Sequence, residues 1–334
     1  MNAPFVLRDA SAGAVAAVPR SGPASVSLIV PVHNEQDGVD AFLETTRRHV
    51  DPLAQDGIAF EFIFVNDGST DGTLLRLLDA QARDPRIRIV DLSRNFGKEA
   101  ALTAGLDACT ADAAIPIDVD LQDPPSVIPL LVERWRQGYE VVLAKRTDRS
   151  SDTYFKHASA SWFYRLHNMI ASSPVPEDVG DFRLIDRAVI DALAQLPERR
   201  RFMKGLFAWV GFRSATVEYT REQRCAGASR FSPWRLWNLA LEGITSFSTV
   251  PLEIWSYVGA GVSLLSFLYG IVIVTKTLIL GIDVPGYTSL LASVLFLGGI
   301  QILGIGILGQ YLGRVYSEIK QRPIYIVRRT YEAG

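Results

Sequence analysis

The stretch IPIDVDLQDPP, from Ile115 to Pro125, holds three aspartates directly after an apolar run. Carboxylates this close raise each other's pKa unless a cation lies between them. Asp118 and Asp120 are two residues apart, so in an extended segment they share a face, which Gln122 continues. Their oxygens suit Mg²⁺ or Mn²⁺, which keep positions open for substrate phosphates. The stretch predicts such a metal site, with a helix or turn cap as the alternative; for Asp123, beside the prolines, capping is favoured.

Two kinds of secondary structure, strands and helices, are predicted to alternate along the chain around these carboxylates. Runs of apolar and β-branched residues predict strands at 26–32, 60–65, 87–92, 113–118 and 140–144. Helical patterns lie between them, for example at 71–83, 98–108 and 125–137. This repetition indicates βαβ units, an α/β fold and a mostly parallel sheet. Ligands of such sheets bind beyond the carboxyl ends of the strands.

Polar loops follow four of the predicted strands. These loops are 33–35, 66–71, 93–98 and 118–122. One of them alone, such as the one with Asp67, is typical of a turn or a helix cap. Because the carboxyl ends of parallel strands meet at one edge, we expect the four loops to form one site.

Two long stretches near the end of the chain carry no charge. They run from Trp255 to Thr275 and from Ser289 to Leu312, and each is long enough to cross a bilayer core of about 30 Å. They predict a transmembrane hairpin at 254–313; a buried hairpin of a soluble protein is disfavoured. The loop Gly281–Tyr287 has no Lys or Arg, whereas the tail 314–334 has several. The positive-inside rule therefore places the tail and the N-terminal part in the cytoplasm.

The remaining segments complete the predicted organisation. Residues 1–24 are rich in Ala, Pro, Ser and Gly, without the apolar core of a signal peptide, which predicts a disordered leader before a cytoplasmic domain at 25–232. Residues 233–250 place Trp234 and Trp237 on one helical face, which predicts a helix in the membrane interface; packing on the soluble domain is the alternative.

Several classes of function are disfavoured. A net charge of −2 gives no sign of a nucleic-acid surface. The two cysteines, Cys109 and Cys225, lack the spacing of a zinc site or a disulfide framework. Gly304, Gly306 and Gly309 match G-x-G-x-x-G, but no strand precedes them, so close helix packing, also indicated by Gly309 and Gly313, is the better interpretation.

The order of the motifs PVHNE, VNDGSTDGT, SRNFGKEAA, DVDLQDPP and GDFRL resembles a known family. The family is the group of family 2 glycosyltransferases that act on polyprenyl phosphates, such as bactoprenol (undecaprenyl-phosphate) glucosyltransferases and, more distantly, dolichol-phosphate mannose synthases. The resemblance covers residues 25–328. It implies a GT-A fold, a nucleotide-sugar donor, a divalent metal, an inverting transfer and a place in the bacterial plasma membrane.

The resemblance also implies roles for individual residues. Those matched to nucleotide-sugar binding are Pro31, Val32, Asn34, Glu35, Asp67, Ser69, Gly97, Lys98 and Asp118. The matched metal ligands are Asp118, Asp120 and Gln122, and the catalytic candidates are Asp181 and Asp120. Basic candidates for gripping an acceptor phosphate are Arg146, Lys156, Arg183, Lys204 and Arg230. His33 replaces a common Tyr and Asn66 a common Asp, which puts in doubt a contact from position 66.

The resemblance predicts transfer of glucose from UDP-glucose to undecaprenyl phosphate. UDP-N-acetylglucosamine, UDP-galactose, GDP-mannose or a modified arabinose stay open as donors, and Asp181 is either a base or an orienting group. A processive polysaccharide synthase is disfavoured because its QxxRW motif is missing. A non-catalytic scaffold is disfavoured by the intact motifs. The predicted partners are the nucleotide sugar, the lipid phosphate, the membrane and further copies of the chain, with a tetramer suggested by the resemblance; no nucleic acid is expected.

Overall fold

The structure is a computed structural model that describes residues 8–9, 19–146, 179–196, 198, 201, 203–219, 250–280 and 286–332. The chain forms two compact units. One holds residues 1–169, 173–236 and 323–334, and the other holds 170–172 and 237–322. Outside the described residues lie the predicted interfacial helix up to residue 249, Lys156, Arg230 and Cys225, together with the side chains of Arg146 and Lys204.

The first unit is built on a mixed nine-stranded sheet, as far as its described residues show, with the order β1-β8-β6-β7-β5-β2-β3-β4-β9. The strands are β1 Arg8–Asp9, β2 Ala24–Val32, β3 Ile58–Asn66, β4 Ile87–Leu92, β5 Ala113–Pro116, β6 Val141–Arg146, β7 Val179–Asp186, β8 Ser214–Tyr219 and β9 Val327–Tyr331. The central strands β5, β2, β3 and β4 are parallel. Strand β7 runs antiparallel to β5 and β6, and β9 runs antiparallel to β4. The parallel centre confirms the predicted α/β class.

Helices cover both faces of this sheet. They are α1 Val39–Val50, α2 Thr73–Arg83, α3 Lys98–Ala108, α4 Ile128–Arg136, α5 Arg187–Ala194 and α6 Met203–Trp209. Alternate strand residues such as Leu28 and Phe64 form one core with α1, α2 and α4, where Phe42 meets Phe64 edge to face at 6.0 Å. The intervening strand residues point to the opposite face of the sheet and face α3, where Gly105 leaves room for Ile29. Each fully buried large side chain contributes about 1.5–3 kcal/mol.

The strand that carries the aspartates ends earlier than the sequence predicted. Strand β5 ends at Pro116, and the chain then turns, with Leu121 at φ 58°. The carboxylate of Asp120 accepts the N–H of Gln122 at 3.1 Å, a local hydrogen bond that competes with an extended strand. The prediction that Asp118, Asp120 and Gln122 share one face of an extended segment is therefore wrong, although the three remain near one another along the loop.

Part of the predicted leader is packed. Arg8–Asp9 pairs with β8 as a short strand. Arg20 forms an ion pair with Asp186 at 2.8 Å and donates a hydrogen bond to the carbonyl of Trp135 at 2.7 Å. A half-buried cation with a carboxylate and a carbonyl as partners has a defined position, so residues 19–24 belong with the folded unit.

The second unit contains the helices α7 Val250–Leu280 and α8 Tyr287–Ile319. Both expose large apolar side chains, among them Phe267 on α7 and Phe296 on α8. Within the described residues, one stretch, Phe296–Ile319, is long and apolar enough to cross a membrane; a second span stays a prediction. The G-x-G-x-x-G glycines lie inside α8 rather than in a strand-to-helix turn, and a Cβ at Gly304 would collide with Trp255 of α7.

Candidate active site

The loops that follow β2 and β3 are joined by hydrogen bonds. The backbone N–H of Asn34 donates to the hydroxyl of Ser69 at 3.0 Å, and the side-chain oxygen of Asn34 accepts the N–H of Thr70 at 2.8 Å. Asn34 adopts φ 57°, a conformation that asparagine tolerates better than most residues. The N–H of Glu35 donates to the hydroxyl of Thr73 at 2.9 Å. The four predicted nucleotide contacts at positions 31–35 thus stand beside the loop that carries Ser69.

Asp67 joins the loop after β3 to the loop after β4 by hydrogen bonds. One of its carboxylate oxygens accepts the N–H of Phe96 at 2.7 Å, and the other accepts the N–H of Gly97 at 2.9 Å. Its neighbour Gly68 has φ 60°, and a Cβ there would lie 2.3 Å from the carbonyl carbon of Arg94. Asp67 is buried, so its immediate role is to shape the loops, and a direct nucleotide contact from it stays a prediction.

Asn66 faces the interior of the sheet edge. Its side-chain amide donates to Asp91 at 2.8 Å, and both side chains are buried. Its carbonyl oxygen accepts the N–H of Ser69 at 3.3 Å. A carboxylate at position 66 would face Asp91 with a like charge, whereas an amide can donate to it. Asn66, which replaces a common Asp of the family, is therefore matched by its hydrogen-bond partner Asp91 in the same chain.

Lys98, Asp118 and Asp181 form the charged centre of the site. The Nζ of Lys98 lies 2.7 and 2.8 Å from the two carboxylate oxygens of Asp118 and 3.2 Å from Oδ2 of Asp181. Lys98 begins α3, Asp118 follows β5, and Asp181 lies on β7. Pro31 and Asp123 line the same small cavity. The sheet thus brings Lys98 and Asp181 into contact, although they are 83 positions apart in the sequence.

The charges of this cluster act on one another's pKa values. Burial by itself lowers the pKa of Lys98, but the carboxylates of Asp118 and Asp181 outweigh it and raise that pKa. Burial raises the pKa of Asp118; Lys98 opposes this, while Asp123 and Asp181 add to it. Among the described residues lining the cavity, three are carboxylates and one is an ammonium. Within this described lining, carboxylates therefore outnumber ammonium groups.

Asp123 does not cap a helix, which corrects the sequence-based expectation. A short 3₁₀ turn begins at Pro125 with no side-chain cap. Instead Asp123 is buried and accepts a hydrogen bond from the hydroxyl of Tyr219 on β8. A buried carboxylate needs a donor, and Tyr219 supplies one from 96 positions further along the chain.

Asp118 and Asp120 fit the predicted divalent metal in a particular way. In the described part of the chain, no three His, Cys, Asp or Glu side chains are arranged to hold a metal by themselves. A metal here would take most of its ligands from water and substrate phosphates, as Mg²⁺ commonly does with one or two protein carboxylates. The half-buried carboxylates of Asp118 and Asp120 fit such an ion. The backbone N–H of Gln122 donates a hydrogen bond to Asp120, and its role as a metal ligand stays a prediction.

Arg183 lies deeper than expected for a residue that grips a phosphate. It is 4% exposed, donates to the carbonyl of Gly180 at 2.7 Å, and lies over the ring of Phe207 at 4.3 Å. Burial lowers its pKa to about 10, against the opposing effect of Asp181 and Glu99. The structure assigns Arg183 to the support of β7 behind Asp181, and its contact with a lipid phosphate stays a prediction.

The chain is similar to known proteins over most of its length. Residues 27–194 match glycosyl transferase family 2. The SfII prophage-derived bactoprenol glucosyl transferase of Shigella flexneri is 51% identical over 309 residues, covering 92% of this chain and 99% of that protein. A prophage bactoprenol glucosyl transferase homolog of Escherichia coli (strain K12) is 51% identical over 304 residues, covering 91% and 98%. An uncharacterized glycosyltransferase of Synechocystis sp. is 49% identical, covering 90% and 94%.

Proposed function

The chain belongs to glycosyl transferase family 2, and we propose that it transfers glucose from UDP-glucose to undecaprenyl phosphate with inversion at the anomeric carbon. Relatives named bactoprenol glucosyl transferase share half of its residues over nearly their whole length. That coverage extends beyond the catalytic sheet to the C-terminal helices, which supports a lipid acceptor. The product is a polyprenyl monophosphate sugar, a donor for modification of cell-envelope glycans.

The observation that carries the proposal is the Lys98–Asp118–Asp181 cluster at the carboxyl edge of the sheet. Lys98 lies within 3.2 Å of both carboxylates. The loops expected to hold the nucleotide sugar meet at the same edge. The ammonium of Lys98, and a divalent cation that the carboxylates would hold beside the loops converging from β2 to β5, would offset the charge of an anionic leaving group.

In the proposed reaction an oxygen of the lipid phosphate attacks the anomeric carbon of glucose. The bond from that carbon to the diphosphate oxygen breaks, and its electron pair leaves with UDP. Lys98 supplies positive charge beside the diphosphate, and Asp181, held next to Lys98, orients the sugar. Because the acceptor phosphate is already anionic near pH 7, this chemistry needs little proton removal, which favours an orienting role for Asp181 over a base.

Asp118 and Asp120 are proposed to hold Mg²⁺ or Mn²⁺. When bound, the metal supplies positive charge to the departing diphosphate. Asp120 would serve the reaction by helping to hold that ion. The two carboxylates also hold the loop after β5: Asp118 through Lys98, and Asp120 through the N–H of Gln122.

The catalytic unit is proposed to lie on the cytoplasmic side of the bacterial plasma membrane. The exposed apolar side chains of α7 and α8 support membrane insertion of both helices. A basic tail after α8 supports this orientation by the positive-inside rule. Assembly into a homo-oligomer, with a tetramer as the first expectation, belongs to the same proposal.

A donor panel with the purified full-length chain tests this function. Radiolabelled UDP-glucose, UDP-N-acetylglucosamine, UDP-galactose and GDP-mannose are each offered with undecaprenyl phosphate and Mg²⁺, and the lipid products are separated. We expect a single-sugar lipid from UDP-glucose, with the anomeric configuration inverted by NMR. Asp118→Asn is the matched inactive control.

Each other outcome has a definite meaning. A single-sugar lipid from another donor corrects the sugar but keeps the class. A polymer would indicate a processive synthase. No transfer from any donor, with nucleotide binding intact, would contradict the proposed acceptor, and no nucleotide binding at all would point to a non-catalytic scaffold.

A further inference from the structure

The C-terminal strand β9 carries an irregularity at Arg328. In its antiparallel pairing with β4, Arg329 lies opposite Asp91 and Val327 lies opposite Leu92. Arg328 is therefore an extra residue between two paired positions, a β-bulge. Bulges redirect a side chain and are over-represented beside active sites.

The redirected side chain reaches the point where β4 ends. One guanidinium nitrogen of Arg328 donates to the carbonyl of Ser93 at 2.7 Å, and another lies 3.6 Å from Oδ2 of Asp91. The N–H of Ser93 also donates to the carbonyl of Ile326 at 2.9 Å. The tail thus holds Ser93, the first residue of the loop that leads to Lys98, from both sides of its backbone.

The contact continues into the loop after β3 through buried groups. The side chain of Asp91 is 2% exposed, and its other oxygen accepts from Asn66, whose own oxygen accepts the N–H of Ser69. A buried carboxylate is costly unless it is paired with a cation or well hydrogen-bonded. Arg328 supplies that cation, so one chain of contacts runs from the tail to both loops.

We propose that Arg328 is a positioning residue for nucleotide-sugar binding, which it promotes by holding the loops after β3 and β4 through Ser93 and Asp91. The proposal rests on the proposed function, because it concerns the same nucleotide site. Without Arg328, the loops spend less time in the arrangement that binds, and the apparent Kd rises in inverse proportion to that time. We expect little effect on use of the acceptor, because these contacts join only the loops predicted to hold the nucleotide sugar.

Three variants of the full-length chain test this role. Arg328→Ala removes the contacts, and Arg328→Lys keeps the charge but not the forked hydrogen bonding. Arg329→Ala is the matched control, since Arg329 is the adjacent basic residue of the same strand and lies over the ring of Tyr331 at 4.9 Å. The side chain of Arg328 is 59% exposed, so its truncation leaves no buried cavity and the fold should survive.

Two measurements are made on each variant. Hydrogen exchange is followed in peptides that span Ser69 and Ser93, without any nucleotide, and UDP binding is titrated by calorimetry. For Arg328→Ala we expect faster exchange in both peptides and a UDP Kd raised about tenfold. The KM for undecaprenyl phosphate should stay within about twofold of the wild type, Arg328→Lys should fall between, and Arg329→Ala should match the wild type.

The outcomes separate this proposal from the function on which it rests. If wild-type protein fails to bind UDP, the proposed donor is wrong, but exchange still decides whether Arg328 holds the loops. Unchanged exchange and unchanged UDP affinity in Arg328→Ala would overturn the proposal. Equal effects of Arg328→Ala and Arg329→Ala would overturn it as well, because they would show a general effect of the tail rather than a specific contact.

Discussion

Substitution of Gly68 by alanine tests how the site is built, because two strand-end loops touch at this residue. Gly68 has φ 60°, and a Cβ added there would lie 2.3 Å from the carbonyl carbon of Arg94 and 2.4 Å from the nitrogen of Asn95. Both atoms belong to the backbone of the loop after β4, so no side-chain rotation can relieve the overlap. The loops after β3 and β4 must move apart instead.

The size of the effect follows from the distances. An ordinary contact begins at 3.4 Å, so the overlap at 2.3 Å requires a displacement of about 1 Å. A misplacement of that size in a site can lower the rate about 100-fold. The left-handed backbone adds a cost in stability of about 1–2 kcal/mol for a residue with a Cβ.

The matched control is Gly57→Ala. Gly57 also has a left-handed φ, 75°, but its Cβ would meet its nearest described neighbour, Pro23, at an ordinary 3.6 Å. It lies just before β3, at the end of the strand opposite to the site. Gly57→Ala should therefore report the backbone cost alone.

The assay compares the melting temperature, the UDP Kd and kcat/KM for the nucleotide sugar in both variants. We expect both to lose stability, and Gly68→Ala alone to lose about 100-fold in kcat/KM. If Gly68→Ala and Gly57→Ala show the same small loss of stability and both keep wild-type UDP affinity and kcat/KM, the contact between the loops does not position the nucleotide, and the argument from geometry is refuted.

Four further predictions concern the metal, Asp181, the membrane helices and acid stability. Asp118→Asn should abolish transfer with the fold intact by circular dichroism, and EDTA should stop the wild type until Mg²⁺ or Mn²⁺ is restored; full turnover in EDTA would contradict the metal proposal. Asp181→Asn should lower kcat with UDP affinity unchanged if this carboxylate orients the sugar beside Lys98, and a raised UDP Kd would argue against that role. A cysteine placed within 281–287 should react with a membrane-impermeant reagent from outside the cell, whereas labelling only after lysis would contradict two spans. Burial raises the pKa of Asp84, but its bonds to Arg86 outweigh burial and lower that pKa. Asp84→Asn should therefore lower the melting temperature at pH 7, and the melting temperatures of variant and wild type should converge as the pH falls below about 4. A difference that persists at low pH would exclude the charge of Asp84 as the cause.

The local pattern of apolar residues was sufficient to predict the central strands and helices of the fold. The predicted bounds of β4 and α3 agree with the structure. Strand β2 begins two residues earlier than predicted and ends where predicted, and β3 extends beyond its predicted bounds by two residues at its start and one at its end. These segments are buried on both faces or along one stripe, so their apolar spacing carries the information. The gathering of the four loops also follows from local pattern, because parallel strands place their carboxyl ends at one edge.

The roles of several polar residues depended on partners far away in the sequence. Asp123 looked like a cap because only its neighbours were visible, and its partner Tyr219 lies on a strand that β6 brings into the sheet. Arg183 was a candidate for gripping the acceptor phosphate, and β7 places it inside, against Phe207. A hydrogen-bond partner is chosen by which elements lie side by side, and spacing along the chain does not contain that.

The α/β class, the polar strand ends, the family and the apolar C-terminal stretches were all predictable from the amino-acid sequence. The fold was needed to show that β7 inserts antiparallel, that the tail after α8 adds β9 antiparallel to β4 at the edge, and that Lys98 pairs with Asp118 and Asp181. This division reflects the range of the forces involved. Apolar burial is non-directional and leaves a periodic trace in the sequence, whereas ion pairs and hydrogen bonds need particular atoms within about 3 Å, and folding alone brings those atoms together.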